Sequence, residues 1–246
     1  ESDQGLTSKV LKIANSAFYG FPHQISTVDF AIIVLGFDAL KEIVISISLV
    51  SALQKKHDAS FDQRAFWDHA IFSAVIARRL ARDLGYRVSG EVFVGGLLHD
   101  MGISVLYQHF HDEYRRIAAE VDQTGVPFLE AEQRILGVTH ADIGGWLAER
   151  WNFPPHLVEA IATHHTPLPA KDNPELVSII HCADVLANRL HTMAVPFDQG
   201  LDFNHDVLVR LGLEDQLVLE QYITTYRSII EADLRQFDTL FSGRKG

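Results

Sequence analysis

Seven ionisable side chains of this sequence stand in or beside apolar segments, where a solvated histidine or aspartate is not expected. The His99-Asp100 doublet directly follows the apolar run of residues 94–98, and Asp184 occupies the core-facing stripe of a strongly apolar segment. A lone carboxylate on a buried helix face is costly unless it is neutralised, paired or bound to a cation. Asp100 and Asp184 therefore both need partners. The histidines in comparable positions are His69, His99, His140, His164 and His165.

A metal centre would satisfy these groups together, because helical bundles build such sites from inward-facing ligands on separate helices. The chain has 13 histidines beside a single cysteine, Cys182, which excludes a disulfide scaffold and a thiolate-only zinc site. Nitrogen and oxygen ligands suit one or two divalent transition metal ions, and Fe, Mn, Zn, Co and Ni all remain open. The alternative is a set of unrelated buried polar side chains that hydrogen-bond within a bundle.

The segments that carry these residues are helical in pattern. Apolar residues recur at helical spacing, and Gly, Pro and capping residues mark the ends. Only residues 43–49 alternate in a partly strand-like way, and the length of that segment without a breaker favours a helix. The fold class is therefore predicted to be all-α, with helices over residues 7–17, 27–35, 38–56, 62–84, 89–110, 112–122, 127–136, 139–151, 154–164, 173–191 and 214–240.

Composition and charge exclude several classes of protein. With 47% hydrophobic and 22% charged residues the chain is globular, and its net charge of -11 argues against non-specific coating of nucleic acid. The longest apolar tract, residues 30–53, carries Asp38, Lys41 and Glu42 at its centre, so it is not a membrane span. We expect a cytoplasmic protein without a membrane partner. The absence of an initiator Met before Glu1 suggests that upstream sequence is missing.

The order of the seven residues resembles the HD superfamily of metal-dependent phosphohydrolases, which is named after its His-Asp doublet. His140 and the His164-His165 pair resemble the added ligands of its two-metal HD-GYP branch, which hydrolyses cyclic di-GMP. Residues 6–20, 31–36 and 93–102 are closer to the HDOD domain, the HD-related output domain of bacterial signalling proteins. The likeness covers residues 6–190. It implies a multi-helix HD-like bundle, and we predict an N-terminal helical lobe over 1–58, a metal-binding core over 59–195 and a C-terminal helical extension over 196–246.

The resemblance also implies roles for individual residues. Asp100 matches the position that bridges two metals in binuclear members, which makes it the candidate catalytic residue. Many HDOD proteins have lost parts of the ligand set and are regarded as regulatory modules, whereas this chain keeps all seven positions. The residues that match the shared ligands are His69, His99, Asp100 and Asp184, and those that match the added HD-GYP ligands are His140, His164 and His165.

The chain departs from the catalytic HD-GYP pattern at three places. Ile103 replaces a lysine that helps to bind or protonate the phosphate, Ala65 replaces a glutamate ligand, and residues 166–169 replace the Gly-Tyr-Pro signature. Metal binding is therefore favoured over cyclic di-GMP hydrolysis. We expect a signalling output module that acts on a protein partner, controlled by an upstream sensor or receiver domain. The alternatives are a phosphohydrolase acting on a nucleotide, cyclic dinucleotide or other phosphodiester, and a helical scaffold with no bound metal.

A few further residues carry simpler predictions. Asn15 and Ser16 are interpreted as capping or turn residues and Arg189 as a salt-bridge partner. His181 is interpreted as a packing residue, and the alternative is that it supports a metal ligand from behind. Three tryptophans stand at apolar spacing and are predicted to lie in the core: Trp67, Trp146 and Trp151.

Overall fold

The computed structural model describes residues 61–86, 89–190, 197 and 200–227, and nearer the N-terminus residues 23–37 with positions 7, 10, 11, 14, 15, 21, 40, 43–45, 47 and 48. Within these residues every regular element is helical, which confirms the all-α prediction. The helices with both ends defined are α1 (Val28–Leu35), α2 (Gln63–Asp83), α3 (Ser89–Leu98), α4 (Met101–His109), α5 (His111–Thr124), α6 (Phe128–Leu136), α7 (His140–Arg150), α8 (Pro155–Thr163), α9 (Pro174–Leu190) and α10 (His205–Leu211).

Most helix ends lie where the sequence places them, because capping residues mark them. Thr27 and Asp62 accept hydrogen bonds from the first turns of α1 and α2. Thr139 and Asp142 form a reciprocal capping box at the start of α7, which fixes the backbone immediately before His140. Positions 43–45, 47 and 48 are helical, so the strand-like alternation there was misleading. None of the helices in the described ranges is long and apolar enough to cross a membrane.

The prediction of one continuous helix over residues 89–110 is wrong, because the helix is interrupted at the His99-Asp100 doublet. The carbonyl of Gly96 would accept the Asp100 amide in a continuous helix. Here it accepts a hydrogen bond from Nδ1 of the His99 ring at 2.7 Å, and Asp100 takes φ −95° and ψ 11° as the N-cap of α4. The side chain of His99 thus competes with the helix at a point where the sequence contains no proline.

The chain divides into two compact units, Glu1–Gln54 with Thr224–Gly246, and Lys55–Ile223. The three-part division at residues 58 and 195 stays a prediction. The first unit has its own small core of Val10, Ala14, Ile25, Ala31, Leu40, Ile43 and Ile47. The second unit contains α2 to α10 and all of the candidate metal ligands.

Asn15 connects two segments of the first unit through its side chain. Its Oδ1 accepts a hydrogen bond from the amide of Ile25 at 2.6 Å, and its Nδ2 donates to the carbonyls of Ile25 and Leu11, both at 2.7 Å. The carboxamide therefore pairs with the backbone of Ile25 as a neighbouring strand would. This confirms the structural interpretation of Asn15, whereas Ser16 lies outside the described residues.

Replacing Asn15 by alanine is expected to lower the free energy of unfolding of the first unit by about 2 kcal/mol, since two backbone groups of the buried Ile25 lose their partners. Urea denaturation followed by circular dichroism measures the change. The exposed Thr7→Ala substitution in the same segment is the control and should have little effect. Equal stability of the Asn15→Ala and control proteins would contradict the role assigned to the carboxamide.

The second unit is assembled from closely packed helix pairs. Helix α2 packs against α3 and α9, and α7 packs against α4 and α8. Two of these crossings are so close that a Cβ atom would not fit. A Cβ on Gly96 of α3 would lie 2.8 Å from Cα of Ala74 on α2, and one on Gly102 of α4 would lie 1.9 Å from the carbonyl oxygen of His140 on α7. Glycine at these positions allows backbones to approach where the candidate ligands meet.

The prediction that all three tryptophans lie in the core is wrong for two of them. Trp67 is buried, whereas the exposed fractions of Trp146 and Trp151 are 58% and 37%. The buried face of α7 consists of small residues and His140, and Trp146 lies on the opposite face. Small residues face the core here because α7 approaches its neighbours closely, so apolar spacing was a poor guide to the burial of Trp146.

Candidate metal centre

All seven predicted residues converge in the second unit, although five separate chain segments supply them. His69 projects from α2 and Asp184 from α9, while His99 and Asp100 occupy the break between α3 and α4. His140 is the first residue of α7, and His164 and His165 follow the end of α8. Six of the seven side chains are at most 1% exposed, and only His165 has intermediate exposure.

The seven residues form two groups in which the potential ligand atoms lie within 4.8 Å of one another. The first group contains His69, His99 and Asp184, and the second contains Asp100, His140, His164 and His165. In the first group, Nε2 of His69 lies 3.1 Å from Oδ1 of Asp184. In the second, Nε2 of His140 lies 3.0 Å from Nε2 of His165. Each group has the size and ligand types expected for one metal ion.

The carboxylate of Asp100 lies between the two groups. Its Oδ2 faces the first group, 3.1 Å from Nε2 of His99 and 3.7 Å from Nε2 of His69. Its Oδ1 faces the second group, 3.3 Å from Nε2 of His140 and 3.4 Å from Nε2 of His164. One oxygen for each group is the arrangement of a carboxylate that can bridge two cations.

Hydrogen bonds at the outer ring nitrogens determine which nitrogen of each histidine faces Asp100. Nδ1 of His99 donates to the Gly96 carbonyl and Nδ1 of His164 donates to the Ile161 carbonyl, both at 2.7 Å. Nδ1 of His140 donates to Oε2 of Glu132 at 2.9 Å. Because Nδ1 donates outward in each case, Nε2 is the ring nitrogen that faces Asp100.

Several buried atoms of the centre have no hydrogen-bond partner. They include both carboxylate oxygens of Asp100, Oδ2 of Asp184 and Nε2 of both His99 and His164. Buried polar atoms are nearly always hydrogen-bonded, and a group of unpaired ones at a single point needs an explanation. Imidazole nitrogens and carboxylate oxygens that face one another at 3.1 to 3.4 Å are the ligand types of a divalent transition metal ion. The residues present therefore fit a metal ion.

The pKa values of the two aspartates also fit a metal site. Burial alone would raise the pKa of the Asp100 carboxyl, but His99, His140 and His164 outweigh burial and hold that pKa well below its ordinary value. Burial likewise acts against ionisation of Asp184, and His69 and His99 hold its pKa below the usual range. Both carboxylates are thus ionised, and within the described residues their ion-pair partners are all histidines.

The histidines divide into two kinds. Burial lowers the pKa of His99 and of His140, but the adjacent carboxylates outweigh it and hold both pKa values well above the ordinary one. Burial lowers the pKa of His164, and burial with repulsion from His164 and His140 lowers the pKa of His165 strongly. The adjacent pair thus stays neutral, which is the form that binds metal.

The adjacent histidines both reach the second group, although consecutive residues of a helix point about 100° apart. His164 is the C-cap of α8 and keeps helical dihedrals, with φ −59° and ψ −27°, and His165 is the first residue beyond it. The ring centroids of the pair lie 3.9 Å apart. Oγ of Ser73 lies 3.4 Å from Nε2 of His69, which adds a polar contact at the first group.

The sequence reasoning missed Glu132. This residue of α6 is completely buried, and its Oε2 accepts hydrogen bonds from both Nδ1 and the backbone amide of His140. The sequence does contain a signal for this burial, because Glu132 stands at helical spacing from Phe128 and Ala131, and the three form the buried face of α6. A carboxylate on such a face needs a partner by the same argument that identified Asp100 and Asp184.

The interpretation of His181 as a packing residue is incomplete. Its Nδ1 donates to the backbone carbonyl of His164 at 2.8 Å, and its Nε2 accepts the amide of Asn204 at 3.4 Å. It therefore connects a candidate ligand residue to the N-cap of α10. The salt bridge predicted for Arg189 is confirmed, because its guanidinium pairs with Asp202 and lies 4.4 Å from the ring centroid of Phe203.

The departures from the catalytic pattern leave apolar groups at two positions. Ile103 is completely buried and Ala65 is 6% exposed, so neither position offers a charge or a metal ligand to the centre. Residues 166–169 follow the paired histidines, and Arg210 of α10 holds this segment by donating to the carbonyls of Pro167 and Leu168, both at 3.3 Å.

Comparison with known proteins identifies similar chains. A family model described as the HDOD domain matches residues 1–167. The chain is 26% identical to an HDOD domain protein of unknown function from Geobacter sulfurreducens, with a TM-score of 0.82 over 98% of this chain and 84% of that one. It is also 26% identical to a protein from Shewanella amazonensis SB2B that is provisionally named a phosphohydrolase, with a TM-score of 0.77 over 97% of this chain and 84% of that one.

Two longer relatives are also similar. A protein from Marinobacter aquaeolei VT8, provisionally named for signal transduction, is 26% identical, with a TM-score of 0.71 over 96% of this chain and 53% of that one. An uncharacterized protein of Treponema pallidum is 24% identical over 94% of this chain. The chain spans 44% of the length of that relative.

Proposed function

Because this chain belongs to the HDOD family, we propose that it is a regulatory output module of bacterial signal transduction that holds divalent metal and acts through a protein partner. The observation that carries the metal-binding part is the carboxylate of Asp100, which lies between two histidine groups with both oxygens buried and without hydrogen bonds. The signalling name of the relative from Marinobacter aquaeolei supports the regulatory part. A cytoplasmic location and control by an upstream sensor or receiver domain belong to the same proposal.

The residues that would hold the metal follow from the two groups. His69, His99, Asp184 and Oδ2 of Asp100 would hold one ion. Oδ1 of Asp100, His140, His164 and His165 would hold a second ion. The ligand set does not select among Fe, Mn, Zn, Co and Ni, since all accept imidazole and carboxylate ligands.

Regulation is favoured over hydrolysis by the surroundings of the centre. Among the described residues, six of the seven candidate ligands are almost fully buried and His165 alone is partly exposed, which disfavours access of a substrate phosphate. Ile103 supplies no charge where the catalytic HD-GYP pattern has a lysine. Within the described residues, the ion pairs of Asp100 and Asp184 include no arginine or lysine that could also hold a phosphate.

The metal content of the purified protein tests the proposal. We expect at least about one ion per chain after purification without chelator, and stabilisation by about 2.7 kcal/mol when free metal exceeds the Kd by about 100-fold. His69→Gln should lower both quantities because it removes a ligand, whereas the exposed His109→Gln should change neither. Elemental analysis and thermal unfolding measure the two effects. A wild-type content below about a tenth of an ion per chain would indicate a metal-free scaffold instead.

A second candidate function is a metal-dependent phosphohydrolase acting on a nucleotide, cyclic dinucleotide or other phosphodiester. The position of Asp100 between two metal-binding groups favours it, as does the name of the relative from Shewanella amazonensis. Bound ions would supply Lewis-acid chemistry toward a phosphoryl group. The chain would contribute Asp100 to hold both ions, and with Ile103 in place of lysine, protonation of the leaving group would fall to a histidine or to water.

Assays of the metal-replete protein against cyclic dinucleotides, cyclic mononucleotides and nucleoside phosphates separate the two candidates. Turnover that disappears on substitution of Asp100 would establish the hydrolase. Metal binding without turnover on any of these substrates would favour the regulatory module.

A further inference from the structure

Glu132 is the one charged side chain of α6 that is completely buried, and it contacts the centre through a single residue. Its Oε2 accepts Nδ1–H of His140 at 2.9 Å and the backbone N–H of His140 at 3.1 Å. Its Oε1 is buried without a hydrogen-bond partner. Within the described residues, both hydrogen bonds of this carboxylate thus come from a histidine eight residues further along the chain.

We infer that Glu132 is the positioning residue that makes the second group a metal site, because it fixes the ring of His140 and supplies negative charge behind it. This inference rests on the proposed metal-binding function. The carboxylate does not reach the metal position itself, and it acts through the imidazole of His140.

His99, His140 and His164 all face Asp100 with Nε2 and donate a hydrogen bond from Nδ1. The groups that accept these hydrogen bonds differ in charge. His99 and His164 donate to the neutral carbonyls of Gly96 and Ile161, whereas His140 donates to a carboxylate. A carboxylate acceptor makes an imidazole a stronger electron donor at its other nitrogen and holds the ring in one orientation. His140 therefore binds a cation more strongly than its neighbours.

The distribution of carboxylates between the two groups shows why this charge matters. The first group has Asp184 as its own carboxylate and shares Asp100. The second group has three imidazoles and only the shared Asp100. Glu132, one imidazole removed, gives the second group the additional negative charge that the first group has directly. Each of the two positions then has one private carboxylate and one shared carboxylate.

Glu132 also joins two helices, since it ties α6 to the first residue of α7 through the amide of His140. A purely structural role would therefore change folding stability. It would not change the two metal affinities by different factors, and this difference separates the two roles.

Titration with Mn²⁺ of the metal-free wild-type and Glu132→Gln proteins tests the inference. Glutamine keeps an oxygen acceptor for His140 and removes the charge. We expect two bound ions in the wild-type protein, and a loss of about 10-fold to 100-fold in affinity for one of them in the variant, with the other unchanged. The electron paramagnetic resonance spectrum should change from that of a coupled pair to that of a single Mn²⁺. Glu130→Gln, an exposed charge on the same helix, is the matched control.

The possible outcomes are distinct. Two unchanged affinities in Glu132→Gln, equal losses for both ions, or a single ion in the wild-type protein would overturn the inference. Absence of metal from the wild-type protein would overturn the proposed function as well. Should Glu132→Gln fail to fold, ¹H–¹⁵N spectra of the Zn²⁺-loaded wild-type protein report the tautomer of His140. Protonated Nδ1 with metal at Nε2 is expected, and the reverse tautomer would overturn the inference.

Discussion

An Asp100→Asn protein is expected to lose both metal ions, whereas an Asp184→Asn protein should lose only one. The reason is geometric: Asp100 places Oδ2 at the first group and Oδ1 at the second, while Asp184 contacts only the first group. Asparagine keeps the shape of the side chain, but it removes the charge and replaces one carboxylate oxygen by a nitrogen with no lone pair for metal. In Asp100→Asn the affinity for each ion should fall by more than about 100-fold. Loss of a residue that only hydrogen-bonds a metal ligand already lowers metal affinity by up to about 100-fold, and Asp100 is itself a ligand.

Elemental analysis and metal titration of the three proteins measure this difference. Thermal unfolding with and without metal supplies an independent test, because an ion that binds only the folded state raises its stability. The wild-type protein should be stabilised by added metal, Asp184→Asn less so, and Asp100→Asn not at all. Asp122→Asn removes an exposed carboxylate and serves as the control. Equal metal loss in the Asp100 and Asp184 variants would show that Asp100 does not serve both groups.

Gly102→Ala is expected to destabilise the second unit by about 3 kcal/mol or more and to abolish binding at the second group. An added Cβ would lie 1.9 Å from the carbonyl oxygen of His140, 2.8 Å from its carbonyl carbon and 2.9 Å from the amide nitrogen of Gly144. All three are backbone atoms, so no side chain can rotate away. Relief would require α4 and α7 to separate, which would move His140 away from Asp100.

Urea denaturation and metal titration check this prediction together. Gly125→Ala is a useful comparison, because Gly125 has a φ of +71° and open space around its Cβ direction. That variant should lose about 1 kcal/mol through backbone strain alone and should bind metal normally. If Gly102→Ala retained wild-type stability and two ions, the close approach of α4 to His140 would be contradicted.

Local reasoning from sequence located most of the described helix starts and indicated the burial of the two aspartates, but it missed the break between α3 and α4. Caps such as Thr27, Asp62 and Thr139 mark helix starts through chemistry that acts over three or four residues. The argument that a carboxylate on an apolar face needs partners correctly indicated that Asp100 and Asp184 are buried with histidines. Both inferences depend only on neighbouring residues.

What could not be predicted depends on contacts between segments. Glu132 stands on a short helix with two other charged residues, and although its spacing from Phe128 and Ala131 is compatible with burial, the packing of α6 is what identifies His140 as its partner. The division of seven residues into two groups depends on where α3 approaches α2, at Gly96, and where α4 approaches α7, at Gly102. The exposure of Trp146 follows from the packing of α7 against α4 and α8, which places the small residues of α7 inward.

The break between α3 and α4 also bears on how such a centre would be lost during evolution. His99 contacts the first group, and Asp100, the next residue along the chain, contacts both groups. Substitution of Asp100 would therefore weaken both metal positions in one step, whereas loss of His165 would leave the first group complete. Gradual decay in a lineage that needs only one ion should begin among the residues after the doublet and reach the doublet last.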